Sequence, residues 1–114
     1  MRSTRPVSWV SAARKAFEDF PQAARERCMD ALTMAAEGGK AAIAKPMHGL
    51  GAGVLEIALP FRGNAFRVIY GVQLGDDLWV IHAFRKKSTQ ASKTPKHEID
   101  LAKDRLKRLK EILR

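Results

Sequence analysis

The chain has a single cysteine, Cys28, and that scarcity excludes an internal disulfide framework and a cysteine-rich zinc site. Its three histidines, His48, His82 and His97, are scattered, and no pair has metal-ligand spacing. No metal and no cofactor is expected. Long apolar runs are absent too, since nothing approaches the roughly 18–20 residues of a membrane-spanning helix. The opening "MRSTRPVSWVSAARK" lacks the apolar centre of a secretory signal. A cytoplasmic protein without membrane contact is the expectation. The glycine-rich "HGLGAG" (48–53) lacks the Gly-Lys-Ser/Thr ending of a phosphate loop, and a strand follows it rather than a helix.

Acidic residues are in deficit: 12 stand against 21 Lys and Arg, a formal net charge of +9. Residues 1–81 carry 10 basic and 8 acidic residues, whereas 82–114 carry 11 and 4, so the last third holds most of the field. An asymmetric basic surface directs attention to nucleic acid, an anionic membrane or an acidic protein.

The remaining composition, 46% hydrophobic and 29% charged, is that of one globular domain spanning 1–114. "RPVSWV" reads as a short strand that Pro6 permits only at its start or at a sheet edge. Val10, Ala13, Phe17 and Phe20 follow helical spacing from Ser11 onward. Pro21 opens a second helix with Ala24, Cys28, Ala31, Leu32 and Ala35 on one side, and Gly38-Gly39 stops it.

Beyond a Lys/Ala/Pro/Gly stretch (40–53) come three β-type runs, 54–61, 65–74 and 78–84, split by short turn-forming loops. They predict an antiparallel meander. With three-residue loops at 62–64 and 75–77, Glu56 opposes Tyr70, Tyr70 opposes His82 and Arg67 opposes Arg85. Glu56, Tyr70 and His82 would then cross one face, and Arg67 and Arg85 the other. Thr94 reads as the N-cap of a last helix, with Pro95 in its first turn. Ile99, Ala102, Leu106, Leu109 and Leu113 form its apolar stripe, and Lys96, Lys103, Lys107, Arg108, Lys110 and Arg114 cover much of the rest. The stripe suits packing on a core and lacks the Trp or Phe of a membrane-surface helix. The order is β-α-α-β-β-β-α, an α+β domain with an antiparallel sheet.

Two features carry chemistry. Arg67 sits inside a strand between Phe66 and Val68, where a charge needs a partner or solvent. A carboxylate such as Glu56 would satisfy it, or the guanidinium is fixed there to grip a phosphate. Arg85-Lys86-Lys87 begins where the last strand ends. Such a triplet by itself is an ordinary solvated strand end, but together with Arg67 it outlines an anion site.

In "KPMHGLGAGVLEI" (45–57), "FRVIY" (66–70), "VIHAFRKKS" (80–88) and "KTPKHEIDLAKDRL" (93–106) the chain resembles the RelE/HigB superfamily of toxin–antitoxin ribonucleases. The likeness is to its phage-derived HigB-like branch. The resemblance implies a small microbial-ribonuclease-like α+β domain that cuts mRNA, usually on the ribosome. It also implies a cognate antitoxin as partner, in this branch commonly a helix-turn-helix DNA-binding protein. By motif position Arg67 falls on the family's strand arginine and Lys86 on the basic residue after the last strand, with Lys87 beside it. RelE carries lysines where this chain has "LEI", so Glu56 replaces a cation.

RNA can be cut by its own 2′-OH, giving a 2′,3′-cyclic phosphate and a 5′-OH, with no metal and no protein nucleophile. The step needs alignment, cations against the developing phosphorane charge, and proton transfer. Arg67, Lys86 and Lys87 are the candidate cations; Glu56, Tyr70 and His82 are the candidates for moving protons. Arg85, Lys93 and Lys96 would hold the RNA backbone. Two other readings stay open on the residues alone: a ParE-like toxin binding a protein such as gyrase, and a non-catalytic basic nucleic-acid-binding module.

Overall fold

Phe66 to Gly71 are buried without a break, because the strand they form has apolar layers over both of its faces. The computed structural model describes residues 4–87 and 93–113. Their order is β1 (Val7–Trp9), α1 (Ser11–Glu18), α2 (Gln22–Ala36), β2 (Ala44–Pro46), β3 (Val54–Phe61), β4 (Asn64–Leu74), β5 (Asp77–Lys87) and α3 (Lys96–Ile112). Ser88 of the last-strand motif and Arg114 lie outside the described residues. The α+β class is as expected, with one more strand than expected. The sheet is mixed rather than antiparallel: its order is β1-β5-β4-β3-β2, and β1 runs parallel to β5. Pro6 stands just before edge strand β1, where its missing N–H removes no ladder bond and its carbonyl accepts from Leu78 N at 2.9 Å.

One face of the sheet carries α1 and α2. Phe17, Phe20, Cys28, Leu32, Ile57, Leu59, Phe66, Val68, Tyr70 and Val80 form the core there. Phe20 stacks tilted on Phe66 with ring centroids 4.8 Å apart, which ties the end of α1 to the central strand. The other face is covered by α3, whose Ala102, Leu106 and Leu109 pack on Ile69, Ile81 and Phe84. Of the expected stripe, Ile99 is half-buried and Leu113 is 38% exposed.

The strand register differs from expectation by one residue, and the turns explain why. The β3–β4 loop has two residues, not three: Arg62 (φ 51°) and Gly63 (φ 77°) both adopt positive φ, so Phe61 pairs with Asn64. This is the backbone of a type I′ hairpin turn, matched to strand twist, with arginine accepting a conformation that usually falls to Asn or Gly. Gly75 (φ 66°) and Asp76 form the next loop, and Leu74 pairs with Asp77. A β-bulge follows. Ile69 pairs with His82 but Tyr70 pairs with Val80, which leaves Ile81 as the extra residue. Ile81 and His82 consequently both face α3 although they are consecutive, Ile81 in its apolar layer and His82 bonded to Glu98 and Arg105.

Candidate functional site

These registers sort the expected site residues onto two faces, because directly paired residues share a face. Glu56, Ile69 and His82 form one row. Arg67 pairs with Phe84 and Lys86 with Ala65, two and four residues along β4 from Ile69, so both side chains also lie toward α3. Tyr70, Arg85 and Lys87 lie toward α1 and α2 instead. The expected row Glu56–Tyr70–His82 is therefore replaced by Glu56–Ile69–His82, and Arg67 joins Glu56 rather than Arg85. The Arg85-Lys86-Lys87 triplet is split by strand alternation: Lys86 points to the α3 face, Arg85 and Lys87 to the other.

At the centre is a buried ion pair. Arg67 Nη1 lies 3.0 Å from Glu56 Oε1, and the two side chains are 3% and 4% exposed. A charge pair this dry needs every remaining lone pair met. Thr94 does part of this: its hydroxyl donates to Glu56 Oε2 at 2.6 Å and accepts from Arg67 Nη1 at 3.3 Å. Thr94 thus does not cap α3. Pro95 holds the N-cap position without a side-chain cap bond, while its carbonyl accepts from Glu98 N at 3.0 Å. Lys86 closes the same corner from the edge, half-buried, its Nζ donating to the Lys93 carbonyl at 3.0 Å. Lys93 and Lys96 are exposed, and Lys96 lies 3.7 Å from Asp100 one turn on. Lys45 of β2 pairs with Glu56 across the ladder and is exposed, adding a cation to the same row.

The other two expected proton carriers do not join this pair. Tyr70 is fully buried on the α1/α2 face, and burial raises its pKa. Its hydroxyl has no hydrogen-bond partner among the described residues. His82 is on the correct face but is occupied at both nitrogens. Arg105 Nη1 donates to Nδ1 at 2.9 Å, so Nε2 carries the proton and donates to Glu98 Oε1 at 2.8 Å. Burial lowers the His82 pKa, against the pull of the Glu98 hydrogen bond and with the help of the Arg105 charge. Burial likewise draws Arg105 down, partly offset by Glu98. His82 also stacks on Phe84 at 5.1 Å. Together these contacts lock α3 to β5 through a neutral imidazole.

Sequence reading missed Thr94, Glu98, Arg105 and Lys45 as members of this corner. Glu98 and Arg105 are seven residues apart in a helix, two turns along one side, and that spacing beside an in-strand histidine was the available signal. Thr94 has the residue type and position of a helix cap, and only tertiary placement redirects its hydroxyl. Among the described residues no three His, Cys, Asp or Glu side chains converge as a metal site would require.

A three-layer α+β domain with a buried Glu–Arg pair at the cationic end of its sheet defines the class of molecule. The family follows from comparison of the sequence with known proteins. The profile described as "Phage derived protein Gp49-like (DUF891)" matches residues 15–107. The chain belongs to this phage-derived Gp49-like family, a family of toxin–antitoxin-type toxins. Neither the curated proteins nor the solved structures offered a match.

Proposed function

We propose that the chain is the toxin of a type II toxin–antitoxin pair of the RelE/HigB kind, an endoribonuclease that cleaves mRNA on the ribosome through attack by the 2′-OH. The observation that carries this reading is the environment of the Thr94 hydroxyl. It is an alcohol that donates to a carboxylate at 2.6 Å and accepts from a guanidinium at 3.3 Å. A ribose 2′-OH about to lose its proton beside a phosphate needs the same pair of partners.

In this reading a ribose takes the place of the Thr94 hydroxyl. The 2′-OH proton passes to Glu56, the 2′-oxygen bonds to phosphorus, and the bond to the 5′-oxygen breaks. Arg67 holds Glu56 in position and faces the charge that develops on the phosphorane oxygens. Lys86, released from the Lys93 carbonyl, supplies the second cation and the proton for the departing 5′-oxygen. Lys45, Lys93 and Lys96 lie around this corner as contacts for the flanking phosphates. His82 is a positioning residue here, since it acts by holding α3.

The test is induction of the chain with and without the product of its neighbouring gene, with mapping of mRNA 5′ ends. New 5′-hydroxyl ends paired with 2′,3′-cyclic phosphates, lost in Lys86→Ala and Glu56→Gln, are expected. Undiminished toxicity in both folded variants would sink the site assignment. Intact mRNA together with accumulating DNA breaks would move the chain to the ParE-like reading, and salt-sensitive RNA binding without cleavage would make it a binding module.

A further inference from the structure

Both tryptophans of the chain, Trp9 and Trp79, line one groove. It runs between the β1–α1 corner and the outer side of α3, with a volume of about 560 Å³. Leu101 and Ile112 complete its wall and are 39% and 76% exposed, while both tryptophans are only half-buried. Two of the four large apolar side chains most exposed to water among the described residues thus stand beside both indoles. Contiguous apolar surface of this kind marks a contact site on a folded domain, and tryptophan is the residue most enriched at the energetic centres of such contacts.

The α3 side of the groove has a helical period of its own. Leu101, Arg105, Arg108 and Ile112 lie at i, i+4, i+7 and i+11, offset from the Ala102–Leu106–Leu109 stripe that packs on the sheet. Eleven residues of rise give a seam about 16 Å long, three turns of helix. A helix laid alongside would meet it with its own i, i+3, i+4 and i+7 positions.

Charge decides what kind of helix. Among the described residues Arg105 and Arg108 border the groove against one side-chain carboxylate, Asp104, which is itself paired with Arg108 at 3.4 Å. Arg105 is held in place by its bonds to His82 Nδ1 and to the Ile81 carbonyl. A second copy of the chain would bring the same two guanidiniums and another net +9 to the contact, and like charges facing each other oppose association.

We propose that this groove is the docking site for an amphipathic α-helix of a partner protein. An apolar ridge on that helix would fill the space between Trp9, Trp79, Leu101 and Ile112, and acidic residues would flank it toward Arg105 and Arg108. The naming of the partner as the antitoxin rests on the toxin reading above; the chemistry of the groove does not.

The experiment uses the full chain and the product of the adjacent gene, purified separately, with affinity measured by calorimetry. The two groove tryptophans, the only ones in the chain, report docking through a blue shift of their fluorescence. Leu101→Asp combined with Ile112→Asp is expected to weaken binding at least ~30-fold, and Arg108→Glu about tenfold with a flatter salt dependence. Thermal unfolding and any RNA cleavage by these variants should stay as in the parent. A complex whose affinity ignores the double substitution overturns the groove assignment and leaves the toxin reading intact. Absence of any complex with the adjacent product overturns it as well. A homodimer dissolved by the same substitutions would assign the groove to a second copy instead. Binding at the groove by a chain that neither arrests growth nor cuts RNA would sustain the docking site and defeat the toxin reading.

Discussion

Glu56 and Arg67 meet diagonally across neighbouring strands, with 3.0 Å between Oε1 and Nη1, and both side chains are almost sealed from water. Glu56 pairs with Ile69, so Arg67 stands two residues along β4 on the same face. The pair is covered by Thr94, which the chain reaches 38 residues after Glu56. The corner thereby joins β3, β4 and the lead-in to α3 through charge rather than through apolar packing.

Removing one member of this pair should be far worse than removing both. Arg67→Met leaves a buried carboxylate with only Thr94 among the described residues and is expected to cost about 3–5 kcal/mol. The double variant Glu56→Leu/Arg67→Met keeps the volume without the charges and should be more stable than Arg67→Met alone. Urea unfolding of the three chains measures this. A double variant less stable than Arg67→Met would show that the unpaired Glu56 carboxylate carries no such penalty.

Lys86 separates function from stability. Among the described residues its Nζ makes a single bond, to the exposed Lys93 carbonyl, so Lys86→Ala should lower stability by no more than about 1 kcal/mol. On the proposed ribonuclease mechanism, loss of this cation should lower cleavage by about 10²–10³-fold, with partial rescue by Lys86→Arg. Single-turnover cleavage of a short RNA alongside a melting curve tests the pair of expectations. A cleavage defect that merely tracks lost stability would remove Lys86 from the chemistry.

Much of this corner was legible in the sequence, and the part that was not has a physical cause. Periodicity located α1, α2, α3 and the three long strands, and the in-strand charge identified Arg67. Strand pairing is not legible in this way, because register depends on turn geometry. Arg62 takes a positive φ that its residue type disfavours, shortening the first loop, and the Ile81 bulge adds a residue that no local pattern marks. One residue of slip exchanged Tyr70 for Ile69 beside Glu56. The short β2 was hidden because Ala44-Lys45-Pro46 has little strand propensity of its own and forms only by pairing with β3.

Acid should weaken the hold of α3. His82 is neutral in the fold, its Nδ1 taken by Arg105 and its Nε2 proton by Glu98, and burial keeps its pKa below the usual value. Below about pH 6.5 the unfolded chain takes up a proton at this position that the folded chain resists. Stability therefore falls with decreasing pH below that point, by up to about 1.4 kcal/mol per pH unit, and this contribution is flat above it. Unfolding free energies between pH 5 and 8 for the parent and for His82→Gln test this; the slope below pH 6.5 should shrink in the variant. An identical slope in both would assign the acid lability to other groups.

Cys28 offers a probe of whether α2 opens independently. Its side chain is fully buried, and burial pushes its thiol up to about 11, against a smaller opposing influence of the Arg27 charge. At pH 8 only about one thiol in a thousand would be ionised, and the thiolate is the reactive form. Iodoacetamide should therefore leave the native chain unlabelled over hours and modify it fully in urea. If α2 stays docked until the whole domain unfolds, the labelling rate will follow the global unfolding equilibrium as urea is raised. Labelling that begins well below the unfolding midpoint would show that α2 lifts from Ile57, Leu59 and Phe66 while the sheet and α3 remain folded.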